Sequence, residues 1–151
     1  MADGVYNNLK HGLAAGTIDL AADTLKVMLV TSGYTFNADH DFLDEGGAND
    51  LTDHEISVTG YTPGFGGAGR KTLASKTFTE NDTNDRGEFD AADLVWTTLG
   101  SGATIDAAVV IKEITNDAAS VPLIYFDLTA TPTNGGDFTL SFSSTGLLHL
   151  T

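Results

Sequence analysis

Acidic side chains beside histidines are the first candidates for chemistry in this sequence. Asp39-His40-Asp41 and Asp53-His54-Glu55 lie in one acidic, loop-rich stretch, so they could approach each other. Imidazole and carboxylate groups are ligands for zinc, and carboxylates also bind harder cations. The His-x-x-x-His spacing is absent, however, and carboxylates next to histidines are expected by chance in so acidic a segment. The sequence therefore does not predict a metal site. A metal ion bound in the loop 39–55 stays an open alternative.

A glycine-rich segment resembles a nucleotide-binding fingerprint. Gly64-Phe65-Gly66-Gly67-Ala68-Gly69 has the letters G-x-G-x-x-G. That fingerprint works where it follows a strand and opens a helix, whose N-terminus then holds the pyrophosphate. The residues after Arg70 alternate like a strand instead. We therefore expect no nucleotide and no other cofactor, but a flexible loop that orders when it meets a partner.

The remaining motifs favour structural roles over catalysis. Residues 82–87 resemble the start of a calcium loop, but Arg86 stands where a ligand oxygen belongs, which favours a hairpin turn. No Gly-x-Ser-x-Gly elbow occurs. His149 lies in an apolar terminal stretch and is predicted to be a core or interface histidine, and Trp96 is predicted to anchor the core. We expect a protein that is not an enzyme.

Charge is the strongest compositional feature. Twenty-one acidic residues face seven basic ones, for a net charge of −14, and no lysine or arginine lies between Lys26 and Arg70 or after Lys112. Such a surface repels phosphates, so direct binding to nucleic acid is not expected. The simplest consequence of the charge is solubility.

Length and hydropathy point to one soluble domain. The 151 residues fit a single domain, and no stretch approaches the ~20 apolar residues that span a bilayer. The first four residues lack the basic and apolar regions of a signal peptide. We expect a protein that is made in the cytoplasm without export and that does not bind membranes.

A short helix is predicted over residues 2–15. Val5, Leu9 and Leu13 recur at helical spacing and Tyr6 widens the stripe, with Asp3 as N-cap and a glycine at the end. A helix this short is not stable alone in water, so it must pack against the rest of the chain or against a partner. It could clamp a neighbouring protein, in which case deleting residues 2–13 would leave a folded β domain.

In the rest of the chain, strand-like segments are separated by residues typical of turns. About eight strands indicate a mainly β fold, a β-sandwich or a jelly-roll-like single domain over residues 1–151. Residues 35–55 are predicted to form a long loop with a helical turn near 39–43. The predicted strands are 25–31, 56–59, 72–80, 86–90, 105–114, 121–129, 138–142 and 147–150.

Several segments resemble small structural proteins of tailed bacteriophages. The likeness lies in Gly4-Val5-Tyr6-Asn7-Asn8-Leu9 and in residues 23–32, 34–43, 58–61, 84–96, 122–127 and 136–140. The resemblance implies a capsid decoration (cement) protein on the outer surface of the virion. Its implied partners are the major capsid protein and further copies of itself, with a trimer as the expected oligomer. The residues expected at a protein interface are Val5, Tyr6, Leu9, Leu13, Tyr61, Phe65 and Arg70.

Two other functions stay open at this point. The same fold could serve in the tail or at the head–tail junction. It could also bind glycans on the virion surface, for which an aromatic cleft using Tyr34, Tyr61 or Phe65 would be expected.

Overall fold

Antiparallel strands make up most of the protein. A computed structural model describes residues 3–151 as a single small, mainly β domain consistent with a β-sandwich, as the strand pattern predicts. A 3₁₀ turn, Thr52–His54, lies between the second and third strands. The elements are β1 (Gly4–Val5), α1 (Asn7–Ala15), β2 (Leu25–Val30), β3 (Lys71–Thr72), β4 (Thr77–Asn81), β5 (Arg86–Asp90), β6 (Leu94–Trp96), β7 (Thr104–Lys112), β8 (Val121–Pro132), β9 (Phe138–Leu140) and β10 (Leu148–Leu150).

The strands form three sheets, in the orders β1-β8-β7-β2-β3, β10-β5-β4 and β6-β9. The apolar run of β2 follows from its place inside the five-stranded sheet, where both faces are buried. Leu25, Val27 and Leu29 face the main core, which the two smaller sheets share. Met28 and Val30 face a second core on the opposite side. Within residues 3–151, no helix is long and apolar enough to cross a membrane.

The acidic loop after β2 covers the second core. Tyr34, Leu43 and Leu51 are buried there against Tyr6. The helical turn predicted near residues 39–43 is wrong, because side chains take the backbone bonds that a helix would make. Glu45 Oε1 accepts hydrogen bonds from the backbone N–H groups of Asp41, at 2.6 Å, and Phe42, at 3.0 Å.

The N-terminal segment belongs to the fold. β1 pairs with β8, and the side chains of Tyr6 and Leu9 are buried in the two cores. Helix α1 begins at Asn7 without a side-chain cap and ends, as predicted, at Gly16, whose φ of 69° is left-handed. Residues 1–2 of the predicted helical segment lie outside the described residues. Because the segment contributes buried side chains to both cores, its deletion is expected to destabilise the domain.

The predicted strand over residues 72–80 is split between two sheets. β3 pairs with β2 in the large sheet, whereas β4 pairs with β5 in the three-stranded sheet. Ser75, with φ of 51°, lies at the change of direction. The returning strand at 86–90 is confirmed as β5, and the later predicted strands correspond to β7, β8, β9 and β10. Residues 56–59 make only an isolated bridge, from Val58 to Tyr61.

Candidate protein interface

The structure buries most of the side chains predicted to meet a partner. Tyr6, Leu9, Tyr61 and Arg70 are buried within the chain, so their assignment as surface contacts is corrected. An apolar stripe predicts that a side chain is buried, but not whether the core of the same chain or a partner protein buries it. Val5 and Leu13 are partly buried against the main core, and Phe65 is 45% exposed.

Arg70 is the centre of a buried ion network. Its Nε donates to Glu55 Oε1 at 2.9 Å and its Nη2 donates to Glu55 Oε2 at 2.7 Å. Nη1 donates to Glu113 Oε1 at 3.1 Å and to Asp117 Oδ1 at 2.6 Å. Burial lowers the pKa of the Arg70 guanidinium, but the hydrogen bonds to Glu55 and Asp117 outweigh it and hold that pKa above its usual range. The network is therefore built around a permanent cation.

The same carboxylates hold the glycine-rich loop in place. The N–H of Gly64 donates to Glu55 Oε2 at 3.0 Å, and the N–H of Phe65 donates to Asp117 Oδ2 at 3.1 Å. The predicted flexible loop is thus corrected to a loop tied to a buried network. It presents an exposed phenylalanine in a fixed place, which lowers the entropic cost of any contact that Phe65 makes.

Gly69, the last glycine of this loop, allows close packing. A Cβ on Gly69 would overlap the ring of Tyr61, and the carbonyl of Gly69 accepts a 2.6 Å hydrogen bond from Trp96 Nε1. Trp96 is buried in the main core, which confirms its predicted role as an anchor. The segment leads into strand β3. The helix N-terminus that a dinucleotide fingerprint needs is therefore missing at this place.

The two histidine clusters of the acidic loop meet at Tyr34. The hydroxyl of Tyr34 lies 3.0 Å from His40 Nδ1 and 2.8 Å from the hydroxyl of Tyr6. The ring of His54 lies against Tyr34 as well, with ring centroids 6.4 Å apart. Across residues 3–151, no three His, Asp or Glu side chains come together in a way that could hold a metal ion.

The aromatic cleft expected of a glycan-binding module is not formed by the three residues named for it. Tyr34 and Tyr61 are both buried, and only Phe65 is exposed. The hydroxyl of Tyr61 donates to Glu55 Oε1 at 2.8 Å and accepts from the N–H of Leu29, so this side chain is committed to the core.

An apolar groove that no motif of the sequence indicated lies on the three-stranded sheet. Phe78, Phe89 and Leu148 lie opposite one another across β4, β5 and β10, and Glu80, Gly87 and Leu150 do so two residues further on. All six positions share one face, because alternate residues of a strand point the same way. Phe89 and Leu148 are buried, whereas Phe78 is 50% exposed and Leu150 47% exposed. This apolar face is therefore partly buried in the core and partly exposed to solvent.

Gly87 creates the hollow in this face. It has no side chain to fill the space between Glu80 and Leu150, and a cavity of about 270 Å³ opens there. A second cavity of about 370 Å³ continues from it along the end of α1. Both are lined by Leu20, Phe78 and Leu150. We call this continuous surface the β4–β10 groove. Its other apolar lining residues are Leu13, Ile18, Ala21 and Phe89.

Alternation in the sequence predicts that Phe78 lies in a strand, but only the pairing of β4 with β5 and of β5 with β10 shows that its face is half covered.

Comparison of the chain with protein-family models, curated proteins and solved structures finds no match.

Proposed function

We propose that this chain is a structural protein of a tailed-phage particle and that it decorates the outer surface of the capsid shell. The major capsid protein is its partner, and copies of the chain associate into a symmetric oligomer, a trimer in the simplest case. The role is non-enzymatic. The observation that carries the proposal is the uncovered β4–β10 groove on a chain of net charge −14.

The combination of apolar groove and acidic surface favours docking onto another protein. Contiguous exposed apolar surface is rare on soluble monomers and is typical of interaction sites. The high net charge keeps free copies dispersed in spite of that surface. An acidic protein is suited to the outside of a shell, since the inside faces packed nucleic acid. The segment likeness to phage structural proteins supports the same role.

The energetics suit a repeated lattice. Phe78 and Leu150 each contribute up to about 1.5–3 kcal/mol when a partner buries the whole side chain, and less from their half-exposed starting state. Each copy needs only a modest affinity, because contacts to several capsid subunits act together. Binding that favours the assembled shell then stabilises it in proportion to occupancy.

The test uses particles stripped of the protein and then incubated with purified chain. The wild-type chain should raise the melting temperature of the particle, and Phe78→Ser and Leu150→Ser should each reduce that rise. Val95 is exposed and apolar but lies outside the groove, so Val95→Thr is the matched control and should behave like the wild type. A wild-type chain that leaves the particle melting temperature unchanged would overturn the proposal.

Copy number separates this role from one in the tail or at the head–tail junction. On the order of hundreds of copies per particle support the capsid lattice, and about six or twelve support the junction, whose rings have that symmetry. Quantitative gel densitometry of intact particles against the major capsid protein measures the ratio.

A further inference from the structure

Strand β4 is an uncovered sheet edge. It is the outer strand of the order β10-β5-β4, and Thr77, Phe78, Thr79 and Glu80 are all exposed. Edge strands are usually blunted by proline, a bulge, charged side chains (lysine above all) or a covering segment. β4 contains no proline or lysine, its charged side chain is Glu80, and its five residues pair one-to-one with β5 without a bulge. Its outward N–H and C=O groups are therefore available to another strand.

The groove lies at the foot of this edge and includes the carboxylate of Glu80. Glu80 lies on the apolar face, opposite Gly87, and forms no ion pair with any residue in the range 3–151. Glu88, on the other face of the same sheet, is bound by Arg86 at 2.7 Å. An unpaired carboxylate beside apolar side chains attracts a cation more strongly than one in open water, because the local dielectric is lower.

We propose that β4 accepts an extended segment of a partner protein as an additional strand. The segment places an apolar side chain beside Phe78 and a lysine or arginine beside Glu80. Side chains on one face of a strand are two residues apart, so the recognised pattern is apolar-x-basic or its reverse. This inference deepens the proposed function and rests on it, since it states how the partner protein is held.

Charge complementarity favours another protein over a second copy as the occupant. Antiparallel pairing of two β4 strands about Thr79 would set Glu80 of each copy against Phe78 of the other, which leaves both carboxylates without a cation. A basic segment of another protein supplies that cation.

The test uses the full-length chain and two synthetic peptides of alternating threonine and valine. One peptide has a lysine two residues from a valine, and the other has glutamate in its place. Fluorescence anisotropy at low salt should show that the lysine peptide binds at least about tenfold more tightly. High salt should shrink the difference. Hydrogen exchange should show protection of the β4 amides by the bound peptide.

Three variants sharpen the test. Glu80→Lys should reverse the preference between the peptides. Gly87→Val should abolish binding by filling the groove floor, where an added Cβ meets only Leu150 at 4.0 Å. Asp127→Lys changes an exposed strand carboxylate outside the groove lining and should bind like the wild type. Thermal melting verifies that each variant is folded. If Gly87→Val does not fold, the reversed peptide preference of Glu80→Lys is the deciding result.

Several outcomes would overturn the inference. They are no binding of either peptide, equal affinity for both, binding that leaves the β4 amides unprotected, and self-association of the chain that protects those same amides. A chain that raises the particle melting temperature but shows one of these outcomes retains the capsid role without strand addition. A chain that binds the lysine peptide as described but leaves particle melting unchanged loses the capsid role instead.

Discussion

Arg70 and Glu55 face each other inside the protein through two parallel hydrogen bonds, Nε to Oε1 at 2.9 Å and Nη2 to Oε2 at 2.7 Å. Both side chains are buried. Two charges in this position depend on each other, because either one left alone lacks the water that would solvate it. Glu55 also holds Gly64, so the pair links the stability of the core to the position of the exposed Phe65.

Removing the cation of this pair should destabilise the fold strongly. Arg70→Met should lower the free energy of unfolding by about 3–5 kcal/mol, since Glu55 then remains as an uncompensated buried charge. Urea denaturation at neutral pH, followed by the fluorescence of the buried Trp96, measures the change. Lys10→Met, on the exposed face of α1, is the control and should cost less than about 1 kcal/mol. A similarly small loss in both variants would contradict the structural role of the network.

The four tyrosines should resist ionisation as long as the protein is folded. Burial, followed by the nearby carboxylates of Asp127 and Asp106, raises the pKa of Tyr125 to about 12. Burial is also the largest reason why the pKa values of Tyr6, Tyr34 and Tyr61 are raised. The folded state thus holds the phenol protons more tightly than the unfolded state. The resulting stability is present below pH ~10 and is lost as the pH rises through about 10–12.

Spectrophotometric titration of the phenolate band checks this pH dependence. Absorbance should stay low at pH 10, where free tyrosine is about half ionised, and should rise together with unfolding seen by circular dichroism. Phenolate absorbance that appears near pH 10 while the far-ultraviolet spectrum stays native would be evidence against it.

A methyl group at Gly69 should be costly. The Cβ of Gly69→Ala would overlap the ring of Tyr61, which is buried and hydrogen bonded and so cannot move freely. We expect a loss of about 1–3 kcal/mol in the free energy of unfolding, which is typical of overpacking. Gly87→Ala is the matched control, because its Cβ would meet only Leu150 at an ordinary contact distance of 4.0 Å, and thermal denaturation of both variants gives the comparison. Equal stability of the two variants would show that the loop gives way easily.

The N-terminal helix should contribute to the stability of the fold. Leu9→Ala should cost about 2–5 kcal/mol, because Leu9 is buried in the main core. His11→Ala changes an exposed residue of the same helix and should cost little. Chemical denaturation separates the two variants. If Leu9→Ala reduced particle binding but not stability, the segment would be a clamp after all.

Phe65 should matter for particle binding more than for stability. Because its side chain is 45% exposed, Phe65→Ser should change the free energy of unfolding by less than about 1 kcal/mol. Its loop is already held by Glu55 and Asp117, so a partner that contacts Phe65 does not have to order it. Co-sedimentation with stripped particles should show weaker binding of the variant. Wild-type binding by Phe65→Ser would restrict the interface to the β4–β10 groove.

The sequence by itself determined the class of fold and many of its parts. The apolar run of β2 indicated a strand buried on both faces, and the turn residues between β4 and β5 located a hairpin. Gly16 marked the end of α1, and Trp96 was identified as a core residue. These features are set by local periodicity, backbone preference and side-chain size, all of which are properties of a few neighbouring residues.

Only the tertiary structure decided which apolar residues remain uncovered. Leu9 and Phe78 both have apolar side chains in regular elements, but the chain covers Leu9 completely and leaves Phe78 half exposed. Likewise, Arg70 shows no sign in the sequence that carboxylates from residues 55, 113 and 117 surround it. The physical reason is that burial and charge pairing depend on contacts between residues far apart in the chain, whereas periodicity records only that a side chain is suited to burial.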